Sequence, residues 1–157
     1  MEPQLSRPSG VPWPPILIAA TLAAGLILGR LYPLAWPGLD DLAARLIGYG
    51  IGVAGLALVA WGILTLHRAG TTVLPDKAAD RLVTEGAFRF RRNPIYMGDV
   101  LSFLGLAQLT YNIWFAILAP LLALALFRLA IFPEERHLED RFGQAYLDYK
   151  ERTRRWF

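Results

Sequence analysis

Apolar residues in this chain are gathered into long blocks separated by short polar stretches. Ile16 to Tyr32 is uncharged apart from Arg30, and Leu46 to Leu66 carries no charge at all. Ile95 to Phe132 is apolar over most of its length, with Asp99 and Arg128 near its ends and a break at Tyr111-Asn112. A membrane-crossing helix needs about 20 apolar residues. The last block therefore predicts a tight helical hairpin, not one helix. The pattern gives four transmembrane helices, at about 14 to 32, 43 to 66, 95 to 110 and 113 to 132.

After the fourth block the period changes. In FPEERHLEDRFGQAYLDYKERTRRW, Pro133 marks a helix start, and Leu138, Phe142, Ala145, Tyr146 and Tyr149 recur at helical spacing as an apolar stripe. An amphipathic helix over 133–152 is expected, lying on the membrane or against the bundle. The fold class is thus all-α, a polytopic membrane bundle with a C-terminal amphipathic helix. The 157 residues form a single membrane domain, divided into a two-helix part over 1–66 and a second part over 67–157. That second part holds a loop at 67–93, a helical hairpin at 94–132 and the final helix.

Composition supports this reading: the hydrophobic share of 55% exceeds the roughly 45 to 50% of soluble domains. The first block is longer than the roughly 7 to 15 residues of a signal-peptide core, and only Arg7 precedes it, so it is expected to be retained as a helix. Basic residues set the orientation. Arg68, Lys77, Arg81, Arg89, Arg91 and Arg92 lie between the second and third helices, and Arg136, Arg141, Lys150, Arg152, Arg154 and Arg155 follow the fourth. The first connection has only Arg30 and Arg45, and the hairpin tip none, so both rich segments are expected in the cytoplasm. The net charge of +3 is then a topology signal, with membrane lipids and not nucleic acid as the expected partner.

Chemistry is narrowed by what is missing. No cysteine is present, which excludes disulfides and thiolate nucleophiles, and with only His67 and His137 no metal site is expected. Gly48, Gly52 and Gly55 on the second helix suit close helix packing. The connection from His67 to Asn93 is far longer than two neighbouring helices require. Loops of that length usually carry function or are disordered. Val73, Leu74, Leu82, Val83, Phe88 and Phe90 give this one apolar anchors, so it is expected to fold over the mouth of the bundle.

That loop ends in RRNPIYMG, Arg91 to Gly98. Asn93 is a good N-cap and Pro94 suits the first helical position, so the third membrane helix should begin here. Its free N–H groups beside Arg91 and Arg92 would make an anion-binding corner, with Tyr96 in the first turn. Glu134 and Glu135 precede Leu138 by four and three residues, so both acids sit near the inward stripe. Arg128, seven residues before Glu135, would share its face on a continuous helix. Anion donors, inward carboxylates and aromatics around an apolar floor suit a zwitterionic, cationic or headgroup-bearing ligand.

The ordered segments GTTVLPD, DRLVTEGAFRFRRNPIYMGD and EERHLEDRFGQAYLDYKERTRRW resemble the integral membrane methyltransferases related to isoprenylcysteine carboxyl methyltransferase and the phospholipid methyltransferases. The resemblance spans about residues 67 to 157, which makes that stretch the expected catalytic part. It implies a cytosol-facing pocket for S-adenosylmethionine, roofed by the connecting loop and the C-terminal helix, and a membrane-side tunnel for a lipophilic methyl acceptor. It points to Asp80, Arg81, Leu82 and Val83 as a stretch whose backbone lines the cofactor, and to Phe88 where the family often has an aromatic. Arg92, Asn93, Pro94, Ile95 and Tyr96 match its Arg-His-Pro-x-Tyr core, and Glu134 with Glu135 its paired glutamates. Asn93 replaces the commoner histidine and cannot titrate, and Arg154 stands where many relatives have proline.

Methyl transfer from a sulfonium needs alignment and exclusion of water, which can supply roughly 7 to 11 kcal/mol. An amine acceptor would also need a base, for which Glu134, Glu135 and Asp99 are the candidates, whereas a carboxylate acceptor would need an arginine, for which the candidate is Arg128. Two other classes fit parts of the sequence: an NADPH-linked sterol-reductase-like protein, and a lipid-binding membrane module without enzymatic activity.

Overall fold

The computed structural model describes residues 10–71 and 81–156, so the expectations for Val73, Leu74, Lys77 and Asp80 lie outside the described residues. Helix α1 covers Trp13–Leu31, α2 Leu42–Arg68, α3 Pro94–Thr110 and α4 Ile113–Leu126, each close to its predicted block. Among the described residues three helices are long and apolar enough to cross a membrane, namely α1, α2 and the continuous rod Ile113–Phe142. Helix α3, with 17 residues, is shorter than these three and lies wedged between α2 and α4.

Helices α2 and α3 approach closely because glycines face glycines. A Cβ added to Gly105 would lie 2.2 Å from the Gly52 Cα, and one added to Gly98 would lie 2.6 Å from the Gly55 carbonyl oxygen. Backbone-to-backbone packing of this kind is how membrane helices associate where lipid removes the hydrophobic incentive. Against the other side of α3 packs α4, through a core of Phe103, Ala107, Phe115, Ala119, Leu122 and Leu126. The hairpin turn is set by Tyr111 in the left-handed conformation and by Asn112, whose Oδ1 caps Trp114 N at 3.1 Å and whose Nδ2 donates to Gly25 O at 2.9 Å.

The last part of the chain departs from expectation at both ends. Pro133 does not start a new helix. A π-turn over Phe127–Ile131 carries α4 directly into α5, Phe132–Phe142, with Phe132 N–H bonding back to Phe127 O. A proline inside an α-helix clashes with the carbonyl four residues earlier, and the wider π-turn removes that conflict without breaking the rod. The single helix expected over 133–152 is instead two. Gly143, at φ +52°, ends α5 and α6 runs Gln144–Arg152. Ala145 is therefore exposed instead of joining the apolar stripe, while Tyr146 and Tyr149 are buried. Glu139 pairs with Lys150 at 3.1 Å across the break.

Candidate active site

At the loop end of the bundle, where α2 ends and α3 begins, the helices enclose a cavity of about 360 Å³. Val59, Ile63 and Leu66 of α2 form one wall, with Pro14 and Ile18 of α1 beside them. The loop contributes Arg81, Leu82, Val83 and Phe88, and the start of α3 contributes Arg92, Asn93, Pro94, Ile95, Tyr96 and Asp99. Glu134, Glu135, His137 and Leu138 of α5 face these, and Tyr146 and Tyr149 of α6 close the outer side.

Each element is positioned by its own contacts. The loop is anchored by a short 3₁₀ turn, Gly86–Arg89, whose Ala87 N–H reaches Thr65 Oγ1 of α2 at 3.4 Å. Pro94 takes the first position of α3 and is buried there. Tyr96 and Asp99, three residues apart, share one face of the helix and turn it toward α5. There the Tyr96 hydroxyl donates to Glu134 Oε2 at 3.0 Å. Glu135, 7% exposed, accepts from Arg92 Nε at 3.0 Å and from Arg155 Nε at 2.9 Å and Nη2 at 2.5 Å. Tyr149 donates to Phe88 O at 2.6 Å, tying α6 to the loop. Burial pushes the Tyr146 and Tyr149 hydroxyls above the usual phenol range, so both remain neutral.

Of the site residues expected from sequence, Arg81, Leu82, Val83, Phe88, Arg92, Asn93, Pro94, Ile95, Tyr96, Asp99, Glu134 and Glu135 all line this one cavity. Asp80 lies outside the described residues. Arg128 is not brought in: it is exposed and absent from the cavity wall. A π-turn adds one residue to the helical register and rotates everything before it by about 100° relative to everything after it. Arg128 lies within that turn and so leaves the face of Glu135. The anion-binding corner is also closed. Arg91 donates to Trp156 O at 2.6 Å and to Phe90 O at 2.9 Å, and Arg92 to Glu135 and to carbonyls of the C-terminal segment. Asn93 sits at the N-cap position, at φ −130° and ψ 59°, without making a side-chain cap.

Sequence reasoning passed over Thr71 and His137, and it read Tyr146 and Tyr149 only as packing. The spacing of His137 three residues after Glu134 was the available signal. These residues bear on what the cavity holds. Thr71 Oγ1, Asn93 Nδ2, His137 Nε2 and Tyr146 Oη are buried without a hydrogen-bond partner among the described residues, and all four residues line the cavity. Buried polar atoms are normally paired, so four orphans around one space fit a polar ligand. The cavity volume falls within the roughly 300 to 1,000 Å³ of small-molecule sites.

A sequence profile described as phospholipid methyltransferase matches residues 43–145, from the start of α2 to the start of α6. The chain belongs to the phospholipid methyltransferase family. The match takes in every described cavity residue of the loop, α3 and α5, and the family is one of membrane methyltransferases, in keeping with three helices long and apolar enough to span a bilayer. No curated protein and no solved structure matches the chain.

Proposed function

We propose that this protein is an S-adenosylmethionine-dependent methyltransferase with a cytoplasm-facing site, and that its acceptor is a lipophilic amine. The charge balance of the cavity carries the choice of acceptor. Glu135 is matched by two guanidiniums, whereas Asp99 and Glu134 have no cationic partner among the described residues. Two unmatched carboxylates suit a ligand that brings positive charge. A carboxylate acceptor would need an arginine in the cavity without a carboxylate of its own; Arg92 faces Glu135, Arg81 faces Glu85, and Arg128 stands outside.

S-adenosylmethionine, when bound, supplies a methyl group activated by its sulfonium, which leaves as a neutral thioether without needing a proton. The residues of this chain have three tasks. Thr71, Asn93, His137 and Tyr146 provide hydrogen-bonding atoms that hold the cofactor, between the walls made by Phe88, Val83 and Ile63. Those apolar walls keep water out. Asp99 or Glu134 accepts one proton from the acceptor's ammonium group, freeing the nitrogen lone pair to form the new N–C bond. The Tyr96 hydroxyl fixes one Glu134 oxygen and leaves the other for the ligand.

A lipophilic acceptor is supported by a second cavity of about 430 Å³ between α1, α2 and α3, walled by Leu22, Val53, Leu56, Phe103, Leu106 and Leu109. Leu56 and Ser102 of this groove lie one helical turn from Val59 and Asp99 of the first cavity. The cytoplasmic orientation is supported by the arginines that flank the loop and follow α4.

Calorimetric titration of the detergent-purified protein with S-adenosylmethionine tests the cofactor, and transfer of labelled methyl to vesicles containing amine headgroups tests the acceptor. Binding with label in the amine lipid is expected. No heat sinks the whole reading; heat with label only on an added prenyl carboxylate sinks the amine.

A further inference from the structure

The two neighbouring glutamates do different jobs. Glu134 has a single partner, the Tyr96 hydroxyl, while every bond made by Glu135 goes to an arginine. Arg92, one of those two, also donates to Lys150 O at 3.0 Å and to Thr153 O, and its backbone N–H reaches Arg154 O at 3.0 Å. Together with the bond from Arg91 to Trp156 O, these contacts hold residues 153–156 as an extended strap alongside 91–92. Arg155 fastens the strap from its own side through Glu135, its guanidinium also resting over the Phe127 ring at 5.0 Å.

The strap prolongs α6, which forms the outer wall of the cavity through Tyr146 and Tyr149. At its other end α6 joins the rod through Gly143, whose backbone is in a left-handed conformation with nothing within 4 Å of where a side chain would begin. One cavity wall thus hangs between a glycine joint and a carboxylate gripped by two guanidiniums. We propose that Arg155 is a positioning residue for the cofactor: its pairing with Glu135 holds the α6 wall shut across the chamber, and release of that pair sets how fast cofactor enters and its demethylated product leaves. The proposal rests on reading the chamber as the S-adenosylmethionine site, and it assigns Glu135 to the door and Glu134 to the ligand.

The two arginines make the idea testable without unfolding the protein. A buried carboxylate stripped of every partner is strongly destabilising, but Arg155→Gln leaves Glu135 paired with Arg92. What is removed is the strap's own grip on Glu135, while its bonds to Arg91 and Arg92 remain. The experiment compares wild type, Arg155→Gln and Arg155→Lys as full chains in detergent. Amide hydrogen exchange is followed without ligand, and dissociation of S-adenosylhomocysteine is followed by displacement. Loss of hydrogen bonds to a charged group predicts about tenfold faster exchange over 144–156 in Arg155→Gln. Exchange in α3 and α4 should be unchanged, dissociation about tenfold faster, and both effects largely restored by Arg155→Lys. Unchanged exchange and dissociation would overturn the proposal. So would a rise in exchange spread evenly over the bundle with a falling melting temperature, which marks a merely structural contact. If wild type does not bind S-adenosylhomocysteine while the strap still loosens in Arg155→Gln, the cofactor reading itself fails and the door has no established guest.

Discussion

The hydroxyl of Tyr96 and Oε2 of Glu134 meet at 3.0 Å, joining the first turn of α3 to the far end of a rod that begins at the hairpin. This bond selects one of two adjacent carboxylates for the ligand. Glu134→Gln keeps the shape and removes the charge, so methyl transfer should fall about ten- to a hundredfold, the worth of a charged hydrogen bond of roughly 1.5 to 3 kcal/mol. The melting temperature should hardly move. Glu139→Gln, which loses only a half-exposed pair with Lys150, should be nearly silent in both assays. Equal behaviour of the two variants would remove Glu134 from the site.

Asp99 and Arg128 separate the two acceptor chemistries. With an amine acceptor, Asp99→Asn should lower transfer at least about tenfold at nearly unchanged cofactor affinity, whereas Arg128→Ala should stay within about twofold of wild type. Radiolabel transfer to lipid together with cofactor calorimetry measures both. A large loss in Arg128→Ala with a silent Asp99→Asn would reverse the assignment.

The glycine contact between α2 and α3 is predicted to govern stability. Gly105→Leu must push the backbones apart at Gly52 and should cost about 1 to 3 kcal/mol, read as a lower melting temperature in detergent. Gly50→Ala, with nothing within 4 Å of its added methyl, should be neutral or slightly stabilising. Similar losses in both would mean that the close approach does not hold the helices together.

Since the chain has no cysteine, single cysteines report topology cleanly. Cysteines introduced at the exposed positions Asp40 and Glu85 should react with an impermeant maleimide from opposite sides of the membrane. Reaction from the same side would remove the cytoplasmic placement of the site.

The three helices long and apolar enough to span were legible because hydropathy alone reports them, and the loop, the start of α3 and the paired glutamates were legible as residues that line one cavity. Three features were not. Pro133 carries the same local signal whether it opens a helix or rides on a π-turn, and the difference lies in how α4 must continue to reach the site. The misreading of Arg128 follows from that, since the π-turn alters the register on which its face was counted. Asn93 has the right chemistry for a cap, but its backbone is set by the strand-like pairing of Arg91 with Arg154 and by Pro94, not by its side chain. The grip of Arg92 and Arg155 on Glu135 joins residues 43 and 20 positions apart, a pairing that no local pattern announces.

Because the π-turn keeps α4 and α5 in line, Glu134 stands 21 residues along a single rod from Ile113, about 32 Å at the usual helical rise. The hydrocarbon layer is about 30 Å thick, so a rod anchored at the hairpin places the carboxylate at the level of the lipid headgroups. A thicker bilayer would draw it inward and a thinner one would lift it clear, unless the rod tilts to compensate. On the proposed reading, the uninterrupted helix acts as a depth gauge, making the length of the surrounding acyl chains a variable of methyl transfer.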